Sequence, residues 1–228
     1  MALRELSALE ARVLAVLVEK AFTVPDSYPM SLNGLTLGVN QKTARDPVMN
    51  ASEADVAAAL DELKAMSLVN TVSGSRVLRF EHNMKRVLGV PGQAEALLTV
   101  MMLRGPQTAA ELRLNAERIH RFADVSSVEG FLDELAAREP PLARKLPRAP
   151  GAREQRWAHM LSGEPDVAVG GGGVAAYGSA SASASASASA SAPAGPDARD
   201  EEIAALRADV EQLKAAVARL QSELGLTP

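Results

Sequence analysis

The sequence predicts a mainly α-helical protein with small β-hairpin wings: two tandem winged-helix domains, a flexible linker and a C-terminal coiled-coil helix. Three observations carry that expectation. Four Ser/Thr-x-x-acid stretches stand ahead of runs with helical apolar spacing. Each group of three helical runs is followed by a pair of short β-prone runs. The chain then closes on seven apolar residues spaced 3, 4, 3, 4, 3, 4.

The first domain is expected over residues 1–88. Ser7 to Glu10 (SALE) reads as a capping box, in which the Ser side chain accepts from an orphan helix N–H and the Glu reaches back to the cap. Leu6, Leu9, Val13, Val16 and Leu17 then follow at helical spacing and give a helix near 6–22. A second helix is expected near 31–40. Ser52 to Asp55 (SEAD) opens a third near 52–66, with Val56, Leu60 and Leu63 on one face. The run LVNTVSGSRVLRFEH then gives two β-prone stretches joined at Gly74-Ser75, and Gly in the first position of a two-residue turn suits type II′. Three helices and a hairpin, in that order, make a winged helix: a helix-turn-helix unit with a β-ribbon wing.

The second domain is expected over residues 89–163, with helices near 92–104, 108–121 and 126–138. Thr108 to Glu111 (TAAE) and Ser126 to Glu129 (SSVE) supply its capping boxes. Val128, Leu132 and Leu135 repeat the triplet Val56, Leu60 and Leu63 at a distance of 72 residues, which suggests one architecture used twice. PLARKLPRAPGAREQRWAH closes this unit as two shorter runs around a Pro/Gly-rich loop.

Composition changes near Gly163. Gly170 to Gly173 is a glycine run, and Ser179 to Ala192 is seven Ser-Ala pairs. Such a stretch cannot bury enough apolar surface to offset its ordering entropy, so residues 164–199 are expected to be a disordered Gly/Ser/Ala linker. The helix expected over 200–226 carries an a/d seam of Ile203, Leu206, Val210, Leu213, Val217, Leu220 and Leu224. β-Branched a positions with Leu at d favour parallel dimers. In a parallel pair Glu202 faces Arg207 of the other chain, and Asp209 faces Lys214. A homodimer through this coil is therefore expected; the alternative is a single amphipathic helix docked on its own body.

Bulk properties narrow the chemistry. Apolar residues make up 47% of the 228, enough for a packed core, but aromatics are only 3%, so the core must rest on Leu, Val, Ala and Met. The absence of Cys excludes disulfides, thiolate metal sites and Cys nucleophiles. No apolar run approaches the ~18 residues a membrane helix needs, and Arg4, Glu5 and Glu10 interrupt the N-terminus where a signal peptide is apolar. A cytoplasmic protein without membrane contact is expected. Residues 1–163 carry 20 Lys+Arg against 19 Asp+Glu, and residues 164–228 carry 4 against 9. A near-neutral body has no global attraction for nucleic acid, so any such contact rests on local patches.

The quoted stretches resemble the YceH family of bacterial proteins. The resemblance rests on Glu19-Lys20, Tyr28-Pro29, NQKT from Asn40 to Thr43 and R-x-PVMN from Arg45 to Asn50. It continues through Val72 to Gly74, LRG-x-QT from Leu103 to Thr108, Glu111 to Arg113, and PG-x-RE-x-R from Pro150 to Arg156. It spans nearly all of residues 6–163; the long Ser-Ala linker and Trp157, in place of a Tyr, depart from it. It implies two tandem winged helices and carries no activity.

A non-catalytic protein with no cofactor and no metal is expected. His82, His120 and His159 lack ligand spacing with carboxylates, and His120, Asp124 and Ser126 contain triad residue types without a strained nucleophile turn. A winged helix usually reads DNA with the N-terminal part of its third helix. Here both third helices are acidic: Glu53, Asp55, Asp61 and Glu62 against Lys64, and Glu129, Asp133, Glu134 and Glu139 against Arg138. The basic residues lie elsewhere. Candidate phosphate contacts are Lys42 and Arg45 in the loop before the third helix, Arg76 and Arg79 in the first wing, and Arg144, Lys145, Arg148, Arg153 and Arg156 in the second. The leading expectation is a dimeric winged-helix regulator that contacts DNA through its wings and the 41–45 loop. The rival is a protein–protein adaptor that docks a partner on the acidic third helices and binds no DNA.

Overall fold

A computed structural model describes residues 4–72, 77–148 and 150–165, and within them the chain is mainly helical with a few small antiparallel strands. The linker beyond residue 165, the heptad positions from Ile203 to Leu224, the turn at Gly74-Ser75 and Arg76 lie outside the described residues.

Helix α1 (Ala8–Thr23) begins at the expected box: Ser7 Oγ accepts the Glu10 N–H, and the Glu10 carboxylate accepts the Ser7 N–H at 2.8 Å. Arg4 grips the same carboxylate with two bonds and reaches Glu62. From Ala11 to Val18 every residue of α1 is buried, Arg12 included. A helix buried all round must be enclosed on several sides, and α1 packs against α2, α3 and α5. A strand of two residues, β1 (Met30–Ser31), precedes α2 (Leu32–Val39), which Ser31 caps. Gly38 lets α2 approach closely, since a Cβ there would stand 2.7 Å from Val16 Cγ1. The Ser52–Asp55 box opens α3 (Glu53–Ala65), whose Val56, Leu60 and Leu63 are buried. Strands β2 (Val69–Val72) and β3 (Arg79–His82) form the hairpin, and β1 adds to its free edge through Met30 opposite Phe80, giving the order β1-β3-β2. Periodicity could not foresee β1, because two residues carry no alternation.

A short helix, α4 (Met84–Leu88), joins the halves and ends at Gly89 in the left-handed region (φ 59°). Helix α5 (Gly92–Arg104) is again buried all round from Ala94 to Leu103, and it packs on α1. Side chains from α1 through β5 join one continuous hydrophobic cluster.

The second half repeats the first in order. Gln107 exchanges two backbone bonds with Trp157 (3.0 and 2.7 Å) directly before the Thr108 cap of α6 (Ala109–Asn115), where Met30 and Ser31 stand in the first half. Helix α7 (Val125–Ala136) buries Val128, Leu132 and Leu135. The repeat is closer than its apolar triplet: residues 60–63 and 132–135 both read LDEL, with the leucines buried and the acids exposed. Strands β4 (Ala143–Lys145) and β5 (Trp157–His159) close the unit as an antiparallel pair.

Two expected boundaries change. Helix α6 ends at Asn115 instead of running to 121, and the chain turns so that Phe122 enters the core against Phe131. The cap of α7 is Asp124, whose carboxylate accepts the Ser127 N–H at 2.7 Å, in place of Ser126. Asp in extended backbone is a strong N-cap, and it moves the box two residues upstream.

Candidate nucleic-acid interface

The second hairpin holds its cations outward for a local reason. Ala143, Trp157 and Ala158 are buried, while Arg144 and Lys145 are exposed; Lys145 pairs across the ladder with Trp157 and so shares its face, at the rim of the core. Lys145 Nζ sits 5.4 Å from the centre of the Trp157 ring, which holds its charge over the hairpin. Beyond Lys145 the strands stay connected, with the Leu146 N–H donating to Arg156 O at 2.8 Å and Gln155 donating to Leu146 O at 3.1 Å. Arg148 and Arg153 project from the connecting loop, exposed and without a partner among the described residues. Arg144 pairs with Glu164, and Arg156 bonds Pro106 O and Glu111. Both pairs are solvent-exposed and hold their arginines weakly, at about 0–1 kcal/mol each.

The loop from Gln41 to Ala51 behaves differently. Asn40 ties its ends together, donating to Ala51 O and accepting the Ala51 N–H, both at 2.8 Å. Lys42 is exposed, as expected. Arg45 is not: its side chain is fully buried and turned inward, donating to Gly38 O, Ala44 O and both carboxylate oxygens of Glu19. The expectation that Arg45 faces outward is overturned, because a guanidinium with an internal carboxylate 2.6 Å away has no reach to a ligand. Burial pushes the Glu19 carboxyl up, but Arg45 and Lys20 outweigh it and hold it below the usual carboxylate range.

Arg79 in the first hairpin is also turned to structure, donating to Pro29 O at 2.7 Å and so fastening β1 to β3. The exposed candidates among the described residues are thus Lys42, Arg144, Lys145, Arg148, Arg153 and Arg156, five of them on the second hairpin.

The third helices present acids. Glu53, Asp55, Asp61 and Glu62 are exposed on α3, and Glu129, Asp133 and Glu134 on α7. Several are engaged locally: Glu53 accepts from Asn33, Asp61 pairs with Lys64, and Glu62 with Arg4. The residues weighed as a triad have other work, since Asp124 caps α7 and the His120 ring packs edge-on against Phe122 at 4.8 Å. No cluster of three metal-ligand side chains occurs among the described residues, and no described helix is long and apolar enough to cross a membrane.

Sequence reasoning passed over several buried polar groups, Arg12 among them. Arg12 is 1% exposed and has a single protein acceptor, Pro47 O at 2.9 Å. The signal was present as an arginine inside the apolar run from Leu9 to Val18.

The architecture defines a mainly helical protein of two similar units, each closed by a small antiparallel hairpin, with an exposed basic face on the second. Residues 6–152 match the family described as "Protein of unknown function, DUF480", and the chain belongs to that family. A UPF0502 protein of Methylibium petroleiphilum is 61% identical over 220 residues, covering 95% of this chain and 85% of that protein. UPF0502 proteins of Burkholderia pseudomallei and Burkholderia orbicola are 59% and 60% identical over 227 and 225 residues, each covering 99% of this chain and 92% of the relative.

Proposed function

We propose that the chain is a non-catalytic, dimeric tandem winged-helix protein that contacts duplex DNA through phosphates, chiefly with the second wing. The winged-helix reading is supported by the element order of both halves and agrees with the resemblance to the YceH family. The observation that carries the DNA contact is the charge of the β4–β5 hairpin. Five cations stand exposed there, and Glu154 is the one acid in the hairpin loop. Lys42, before α3, is the candidate contact of the first unit; Arg45 is excluded by its burial.

Such contacts position a protein on DNA without reading its sequence. Neither α3 nor α7 offers an Arg, Asn or Gln on its exposed face to read a base edge, and their acids repel phosphates at the usual approach. The proposed protein therefore binds duplex with little sequence preference. The heptad spacing from Ile203 to Leu224 supports dimerisation, which presents two wings at once and raises avidity. The relatives align over 99% of the chain, so the segment carrying those heptads is shared with them.

The outward acids of α3 and α7, repeated as Asp61-Glu62 and Asp133-Glu134, favour a second reading: an adaptor that docks a basic partner on these helices. The discriminating experiment is titration with random-sequence duplex at two salt concentrations. Steeply salt-dependent binding supports the DNA reading, and absence of binding at low salt leaves the adaptor.

A further inference from the structure

Four buried polar atoms without a hydrogen-bond partner among the described residues belong to residues that line one small cavity: Arg12 Nε and Nη1, His159 Nδ1 and Ser162 Oγ. The cavity measures about 20 Å³ and lies where α1, the loop after Arg45, the end of α5 and strand β5 meet. Ala11, Met49, Met101 and Met102 supply apolar walls. Buried polar groups in native proteins are almost always satisfied, so four orphaned atoms on three residues lining one cavity call for an occupant. A cavity of this size holds one water-sized species, since about 10–15 Å³ is the minimum for a water, and it is too small for a tetrahedral oxyanion.

Charge decides between a neutral and an anionic occupant. The Arg12 guanidinium has no carboxylate at ion-pair distance among the described residues. Burial and, after it, the Arg45 charge lower its pKa to about 10 against the opposing pull of Asp46 and Glu19. Glu19 is already taken by Arg45 and Lys20. Asp46 also lines the cavity, but the residue is exposed and its charge is screened by water. Arg12 contributes two N–H groups, Ser162 an O–H, and a neutral His159 an N–H when its proton is on Nδ1. A set of donors around a buried cation, with apolar walls, is the chemistry of an anion site.

We propose that this cavity binds one monoatomic anion, chloride under physiological conditions, and that the ion ties the first unit to the second. It neutralises Arg12 of α1 and is held by His159 of β5 and Ser162 of the turn after it.

The test uses the full chain with bromide and chloride as probes. Crystals grown in sodium bromide are expected to show an anomalous bromine peak in contact with Arg12, His159 and Ser162. In solution the melting temperature is expected to rise by roughly 3–6 °C from gluconate to chloride at matched ionic strength, once chloride reaches about tenfold its Kd. That increment should vanish in Arg12→Met and shrink in Ser162→Ala, which keeps the cation and removes one donor. A cavity holding water alone in the bromide crystal, or equal melting temperatures of the native chain in chloride and gluconate, overturns the proposal. Because both readouts are made on the native chain, the proposal stays testable if Arg12→Met does not fold.

Discussion

Arg45 Nη2 lies 2.6 Å from Glu19 Oε2, joining the loop before α3 to the C-terminal half of α1 across 26 residues of sequence. The Arg45 side chain is fully buried and its partner nearly so. A polar stretch that reads as a contact surface is thus, at this residue, an internal brace.

Removing one partner of a buried ion pair leaves the other charge uncompensated, at a cost of about 3–5 kcal/mol. Arg45→Ala is therefore expected to lower the melting temperature markedly in thermal unfolding and to leave duplex binding per folded molecule unchanged. A variant of native stability that binds duplex more weakly would return Arg45 to the interface. The Glu19 carboxyl is held below its ordinary value, so the stability it contributes is present above pH 4.5 and is lost as pH falls through its folded value.

Gly38 is expected to tolerate no side chain. A Cβ there meets Val16 Cγ1 at 2.7 Å, and the atom struck belongs to a fully buried β-branched residue with little room to move. Gly38→Ala should cost about 1–3 kcal/mol in denaturant unfolding through overpacking between α1 and α2. Unchanged stability would mean that α2 sits farther from α1 than described.

The contrast between these residues and the rest of the fold shows what sequence could and could not convey. The boxes at Ser7, Ser52 and Thr108 were legible because both partners of a capping box lie three residues apart. The LVNTV…FEH hairpin was legible from its turn signal. Strand β1 was not, because it is ordered by β3, about fifty residues away. Helix α4 had a usable signal in Leu88-Gly89, where a glycine closes a short helix. The direction of Arg45 depended on Glu19, and no local pattern separates an inward arginine from an outward one. For the second hairpin the two short runs around a Pro/Gly-rich loop were legible, but not the register that sets Lys145 opposite Trp157.

His159 provides a pH signature. Burial pushes its pKa down from 6.5 to about 4. Between these values the unfolded chain binds a proton that the folded chain does not, so stability falls as pH drops from 6.5 towards 4. The loss is expected to reach about 3 kcal/mol or somewhat less, since part of the residue meets solvent. Chemical unfolding across pH 4.5–7 in chloride-free buffer should show this slope in the native protein and a flatter profile in His159→Gln. Identical profiles would show that His159 titrates normally in the fold.

The proposed dimer depends on the heptad spacing from Ile203 to Leu224. Replacing Leu213 and Val217 by Asn is expected to convert the chain to a monomer in light scattering without changing the unfolding of its body. A variant that remains dimeric would place the interface on the two helical units.

A duplex titration tests the proposed phosphate contact of the β4–β5 hairpin most directly. Native protein and a Lys145→Ala, Arg148→Ala, Arg153→Ala variant are titrated with random-sequence duplex at about 50 and 200 mM salt. Native binding is expected to weaken steeply between the two salts, and the variant, equally stable, to bind more weakly with a log–log salt slope smaller by about one for each phosphate contact removed. Salt-dependent binding that the variant retains in full, or no binding by the native protein at 50 mM, would contradict it.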